Sequence, residues 1–370
     1  MNIGENMKIL IITYHRVYNY GSSLQAYATL QAFSKLGLEA EVIDFVPKRY
    51  QNYSSVKQIY NESCYYHKNI FSRILSTAIK IPSYKKQKKV FDLFDEFLSL
   101  TQRFDEKSLN NDYPVADIYC TGSDQVWNNF FESSFIPEYF FSFLKNKEKC
   151  ISFASSFGKE SFEDNDKQIL GQYLKKYSSI SVREDSGVKI LESISVPSIQ
   201  LLDPVFILTK EEWLKIAEPN KYNFKYILVY QLHGDSNAID MAIELSKTTG
   251  LEVLRLSNSF HQIGFYKSSF LPTVNEFLTL FNNAEYVITD SFHGTSFSIN
   301  LNKEFFVKYP QKFSTRIKSI LKLTELEDRA VSSYKDISLE NKIDYSKVNE
   351  IIMRERNRSM DYLREAIDLG

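Results

Sequence analysis

KILIITYHRVYNYGSSLQAYATLQAFSKLGLEAEVIDF, residues 8–45, carries three patterns in succession. KILIITY (8–14) is a short β-prone run. In the segment that follows, Leu24, Tyr27, Ala28, Leu30 and Phe33 keep roughly helical spacing up to Gly37. LEAEVIDF then reads as a second strand. A strand, a helix and a strand in so short a span form the βαβ unit of a parallel sheet, whose crossover is right-handed.

Working outward, residues 54–112 carry helical patterns and are predicted as a helical insertion. The sheet resumes with VADIYCTG (115–122), CISFASSF (150–157) and SSISVRE (178–184), and LLDP at 201–204 supplies a proline break. A second α/β set follows, with strands expected at YILVYQL, LEVLRL, EYVITD and EFFVKY and helices between them. The fold class is therefore α/β, with two Rossmann-like lobes. The predicted domains are residues 1–205, residues 206–345, and a C-terminal helix over 346–370. That helix has an apolar stripe of Val348, Ile351, Ile352, Met360, Leu363 and Ile367, and is expected to pack back across both lobes. No internal repeat or low-complexity tract is present.

The length of 370 residues agrees with two lobes, since one domain usually takes ~100–200. With 43% apolar and 25% charged residues the chain can bury cores. Its formal charge of -1 gives no global field for nucleic acid. Cys64, Cys120 and Cys150 lack metal or redox spacing and read as reduced thiols. The start lacks signal-peptide character, and no run approaches the ~20 apolar residues of a membrane span, so a cytoplasmic protein is expected. The abundance of Phe and Tyr has no functional weight.

Polar clusters fall where strands feed helices, the usual ligand position in open α/β sheets. In YNYGSSLQ (18–25), Gly21 permits close backbone approach, while Ser22 and Ser23 can cap a helix. In CTGSDQVWN (120–128), Ser123 and Asp124 can bind sugar hydroxyls and Trp127 can stack on a sugar; the alternative is a turn and a core tryptophan. SSFG (155–158) presents hydroxyls, and Arg183 leaves a strand in SVRED. In VITDSFHGTSFSI (287–299), His293 lies beside Asp290, Ser291 and Gly294 at a helix start, where the dipole favours an anion and a histidine can exchange a proton near neutrality. His15 and His233 also follow strands; His67 and His261 carry no such argument. Lys308, Arg316 and Arg329 add positive charge, with Arg316 near a helix start. No HExxH, CxxC, GxSxG or GxGxxG occurs in a supporting context.

The ordered set YNYGSSLQAYATLQAF, EVIDF, TGSDQVWN, SFASSFG, SVREDSG, LLDPVF and YVITDSFHGTSFSI resembles the polysaccharide pyruvyl transferase family from about residue 8 to 330. The resemblance implies two facing lobes of the glycosyltransferase-B kind. It also implies transfer of a pyruvyl group from phosphoenolpyruvate to a sugar, with no metal or other cofactor. Where better-studied members carry an arginine between the aspartate and the aromatic residue before the histidine, this chain has Ser291. Arg183 or Arg316 is then expected to supply the positive fork.

On this reading the donor side is the second lobe. Arg183, Ser291, Gly294 and Arg316 hold the anion, His293 is the acid/base, and Asp124 or Asp290 accepts the hydroxyl proton. The acceptor is a hexose, lipid-linked or free, of a surface or exopolysaccharide precursor. It is expected against Asn19, Tyr20, Gly21, Ser22, Gln25, Gly122, Ser123, Trp127 and Asn128. Two alternatives stay open: a nucleotide-sugar glycosyltransferase of the same architecture, and a non-catalytic sugar-phosphate binding protein. Lys80, Lys85, Lys86, Lys88 and Lys89 precede Phe91, Phe94 and Phe97. This pattern suits either peripheral contact with the inner membrane face or a solvated turn before a core-facing helix.

Overall fold

A computed structural model describes residues 7–48, 50–51, 55–66, 69–129, 134–234, 237–257, 266–311 and 314–368. The first lobe holds β1 (Lys8–Ile12), α1 (Tyr20–Ser34), β2 (Glu39–Phe45), α2 (Val56–Tyr66), α3 (Ile70–Phe94), β3 (Leu100–Phe104), α4 (Glu106–Asn111), β4 (Ile118–Thr121), β5 (Lys149–Ser152), α5 (Asp164–Leu174) and β6 (Tyr177–Ser179). A two-stranded pair, β7 (Ser181–Val182) and β8 (Ile199–Gln200), flanks α6 (Asp185–Glu192) and leads to α7 (Lys210–Leu214). The second lobe holds β9 (Tyr226–Tyr230), α8 (Ala238–Thr249), β10 (Glu252–Ser257), β11 (Lys267–Phe270), α9 (Val274–Asn283), β12 (Tyr286–Thr289), α10 (Phe292–Asn300), β13 (Glu304–Val307) and α11 (Thr315–Leu323). The chain ends in α12 (Tyr345–Asp368).

Both main sheets are wholly parallel. Their orders are β3-β2-β1-β4-β5-β6 and β11-β10-β9-β12-β13, the same winding in each lobe. Parallel strands covered on both faces read as continuous apolar runs, and YILVY of β9 is buried at every position. The arrangement is glycosyltransferase-B-like.

Three expectations need correction. Residues 54–112 are not helical throughout, because β3 forms the edge strand of the first sheet within them. SSISVRE divides between β6 and β7, which belong to different sheets. β11 was not foreseen; KSSF has no apolar period, and only pairing with β10 makes it a strand.

The lobes are joined by a shared apolar seam. Tyr20 stacks on Phe277 at 4.9 Å between ring centroids and meets the Tyr230 ring edge-on at 6.3 Å. Helix α12 clamps the pair. Tyr362 Oη donates to Ser152 O at 2.8 Å in the first lobe, while Tyr345 Oη donates to Ser298 O at 3.3 Å in the second. Cys120 and Cys150 are buried free thiols, and burial pushes Cys150 up to about 12, so neither is a ready nucleophile. The side chain of Cys64, together with His67 and His261, lies outside the described residues.

Candidate active site

Strand order reverses beside the first strand of each sheet, between β1 and β4 and between β9 and β12. Loops leaving such a switch point diverge and open a crevice at the carboxyl ends of the strands. Here the two crevices face one another. A cavity of about 260 Å³ between them is lined from the first lobe by Tyr14, Val17, Asn19, Ser22, Tyr50, Asp124 and Gln125. From the second lobe it is lined by Leu232, His233, Ser291, Phe292, His293 and Arg316. A neighbouring cavity of about 380 Å³ in the first lobe shares Tyr50 and includes Arg16, Tyr18, Asp92, Arg103 and Asp105.

The second-lobe wall is the start of α10. Ser291 caps it, its Oγ accepting from Gly294 N at 3.2 Å, and His293 is the second helical residue. The helix is buried along its length although it is rich in hydroxyls. Thr295, Ser296 and Ser298 resolve this by donating to carbonyls four residues back, at 2.8–3.0 Å. Across the cleft Asn19 caps α1, accepting from Gly21 N at 2.9 Å and Ser22 N at 3.3 Å. This frees Ser22, whose Oγ donates to Asp124 Oδ2 at 2.5 Å. Asp124 itself is left-handed, with φ 76°, a conformation a short carboxylate tolerates and one that is common at functional turns.

Gly21 touches the opposite lobe. A Cβ at this position would lie 2.0 Å from His293 Nδ1, so α1 meets α10 with no room for a side chain.

Beneath the cleft lies a charged layer. Arg183 Nη1 donates to Asp203 Oδ2, which also accepts from Ser123 Oγ at 3.0 Å and sits 3.7 Å from His293 Nε2. Burial works to raise the pKa of Asp203, but Arg183 and His293 outweigh it and hold the carboxyl well below its usual range. Asp124 is depressed too: burial opposes, while Arg183, His293, Ser22 and Arg316 prevail. Arg316 is pulled down to about 10 by burial and by its neighbour Arg183. Both guanidinium groups lie over the Phe292 ring, at 4.3 Å for Arg183 and 5.5 Å for Arg316. Of the residues lining the cavity, His293 and Arg316 have buried nitrogens, Nε2 and Nε, without a hydrogen-bond partner. Buried polar atoms are almost always paired, so unpaired donors converging on a cavity indicate a place for a ligand.

Several expected site residues do not reach the cleft. Trp127 is a core residue, stacked on Phe140 at 5.5 Å, with Nε1 donating to Tyr139 O. Tyr20 belongs to the lobe seam, its Oη donating to Pro272 O at 2.8 Å. Gln25 is buried against Thr13 and Tyr14 O, and Asn128 donates to Phe157 O. Gly122 packs on Thr13, while Ser123 holds Asp203 from below. Asp290 accepts from the backbone amides of Leu232 and His233 at 2.7 and 3.0 Å, so it shapes the loop after β9 and is not aimed into the cavity. The Gly294 amide is taken by the cap, and a Cβ there would meet Thr289 Oγ1 at 2.3 Å, so this glycine serves packing. Arg183 supports the cleft as counter-ion to Asp203 without lining it. His15 is locked to Asp44, and Lys308 and Arg329 bond to Ser332 O and Asn341 O away from the cleft.

What the structure brings together is Asn19, Gly21, Ser22, Asp124, Ser291, His293 and Arg316. Sequence reasoning missed Asp203, which LLDP presented only as a break before proline. It also missed Gln125, Tyr50 and Phe292.

A family model for polysaccharide pyruvyl transferases matches residues 19–312, most of the chain, from the cap of α1 through α10 and ending before Arg316. The chain belongs to the polysaccharide pyruvyl transferase family. It is a transferase of that family, with Ser291 at the cap of α10. A comparison with curated proteins found no match. Solved structures share the architecture. One is the N-terminal domain of a trehalose-6-phosphate phosphatase from Candida albicans, with TM-score 0.52, 9% identity, and coverage of 98% of this chain and 97% of that one. Another is a Listeria monocytogenes protein assigned as a UDP-N-acetylglucosamine 2-epimerase, with TM-score 0.50, 9% identity, and coverage of 94% and 95%. At such identities the likeness extends to fold alone.

Proposed function

We propose that the cleft transfers the pyruvyl group of phosphoenolpyruvate to a hexose of a surface or exopolysaccharide precursor, closing a cyclic ketal and releasing phosphate. The observation that carries this reading is the convergence of unpartnered Arg316 Nε and His293 Nε2 on one side of a 260 Å³ cavity whose other side presents Ser22 and Asp124. One wall suits a small polyanion beside a proton donor. The other suits hydroxyl groups.

The donor's anionic groups bind between Arg316 and the positive end of α10. His293 delivers a proton to the methylene carbon, and C2 becomes electrophilic; Asp203 at 3.7 Å gives the imidazolium a counter-charge. A sugar hydroxyl, held by Asp124 and Ser22, forms a C–O bond to C2. The bond from C2 to the phosphate oxygen then breaks, and a second hydroxyl closes the ketal. Of the two hydroxyl protons, one returns to His293, replacing that given to the methyl group, and the other leaves on hydrogen phosphate. Asp124, held ionised, is a weak base, so its part is to orient the hydroxyl. Further sugars of the acceptor lie in the adjoining cavity by Tyr50, since Trp127 and Asn128 are out of reach.

Incubating purified protein with phosphoenolpyruvate and a panel of synthetic hexosides tests this, with phosphate and acceptor mass followed together. The expected result is one phosphate per acceptor that gains the mass of pyruvic acid less one water. Neither signal across the panel, with thermal stabilisation by a nucleoside diphosphate and none by phosphoenolpyruvate, would favour a nucleotide-sugar transferase instead. Tight donor binding with no turnover would favour a binding protein.

A further inference from the structure

Helix α3 has two different halves. Its C-terminal part is anchored in the core by Val90, Phe91 and Phe94. The N-terminal part, before Pro82, exposes Ile70, Phe71, Ile74, Leu75 and Ile79, with Phe71 81% exposed. Spacings of three and four put these side chains on one face. Eight of the eleven large apolar side chains exposed among the described residues lie between Val56 and Phe97, so the exposure is a patch and not scatter.

The charge of this segment is equally uneven. From Ser63 to Phe91 the sequence has seven Lys and Arg residues and no Asp or Glu, in a chain whose overall formal charge is -1. Exposed Lys85 and Lys89 line an open groove with Lys88, Asp92 and Leu93. That groove shares Lys88 and Asp92 with the larger first-lobe cavity, which in turn shares Tyr50 with the reactive cleft.

We infer that α3 is an interfacial docking surface for an anionic phospholipid bilayer. An apolar face flanked by lysines, on a helix that does not span, lies in the plane of the headgroups with its apolar side chains sunk about 5–10 Å. The lysines choose the partner: a second copy would bring two such positive segments together, whereas anionic headgroups neutralise them. Docking would hold the path from Lys88 through Tyr50 to His293 at the membrane surface. No helix among the described residues is long and apolar enough to cross a membrane, so this contact is peripheral. The inference does not depend on which group the cleft transfers.

Flotation of the full chain with vesicles of phosphatidylglycerol and phosphatidylcholine, against phosphatidylcholine alone, tests it. The protein should float with the anionic vesicles at low salt and stay at the bottom with the neutral ones. Phe71→Ser with Leu75→Ser should weaken binding at least tenfold, and Lys85→Ala with Lys89→Ala by roughly fivefold per lysine, with unchanged circular dichroism in both. The inference is overturned if wild type stays at the bottom with anionic vesicles, or if Phe71→Ser with Leu75→Ser leaves flotation unchanged. It is likewise overturned if wild type sediments as a dimer that this double change dissolves, since the face would then belong to a second copy.

Discussion

Gly21→Ala separates a helix effect from a site effect. On helix propensity alone the change should stabilise α1 by up to about 1 kcal/mol. The new Cβ, however, would sit 2.0 Å from His293 Nδ1, 2.1 Å from Cγ and 2.7 Å from Cβ, where ordinary contact begins at 3.4 Å. Because the base of the histidine side chain is struck as well as its ring, rotation about χ1 does not clear the contact. Either α10 retreats or the lobes part by about 1.4 Å, the difference between 3.4 and 2.0 Å. Overpacking of this kind costs about 1–3 kcal/mol, so the net stability loss is about 0–2 kcal/mol. A reacting group misplaced by about 1 Å costs on the order of 100-fold in rate. Phosphate release from phosphoenolpyruvate in the presence of acceptor should therefore fall about 100-fold, while the unfolding midpoint moves little. Gly171→Ala is the control: that helical glycine has nothing within 4 Å, and the change should raise stability by about 0.5–1 kcal/mol with no loss of activity. A fully active Gly21→Ala protein would refute the apposition of α1 and α10 on which the site depends.

Arg316→Gln removes a desolvated guanidinium whose Nε has no partner, so it should leave stability equal or higher by urea titration. The same change should weaken phosphoenolpyruvate binding ten- to a hundredfold by calorimetry, the loss of about 1.5–3 kcal/mol from a charged hydrogen bond. Asp203→Asn strips the counter-ion from buried Arg183 and should destabilise by about 3–5 kcal/mol. Since the folded pKa of Asp203 is depressed, its contribution is present above the unfolded value near ~3.9 and is lost as pH falls toward the folded one. Acid unfolding curves of wild type should therefore steepen below about pH 4, and those of Asp203→Asn should be flatter there. Trp127→Ala should cost about 3–5 kcal/mol in the unfolding midpoint, whereas Trp127→Phe should keep acceptor affinity. Lost affinity without lost stability would return Trp127 to the sugar site.

Much of this architecture was legible in the chain because parallel strands buried on both faces are apolar throughout and α8 has a helical period; α1 is buried on nearly every side, so its apolar spacing marked a helix without marking an exposed face. β3 and β11 were not, since LTQRF and KSSF carry no period of their own and become strands only at sheet edges. His293 could be found because its neighbours placed it at the junction of a strand and a helix. Asp203 could not, because its partner Arg183 is 20 residues away in sequence and only the return of β8 beside β7 brings them together. Trp127 and Asp290 misled for a shared reason: a polar or aromatic residue at a strand end can face the crevice or the turn beneath it, and composition does not say which.

A crystal structure of the protein soaked with phosphoenolpyruvate bears most directly on the central claim. It should show the donor between Arg316 and the first turn of α10, with its methylene carbon toward His293 Nε2 and its C2 open to the side of Ser22 and Asp124. Donor density elsewhere, or a cleft that takes a nucleotide sugar there and leaves phosphoenolpyruvate unbound, would contradict it.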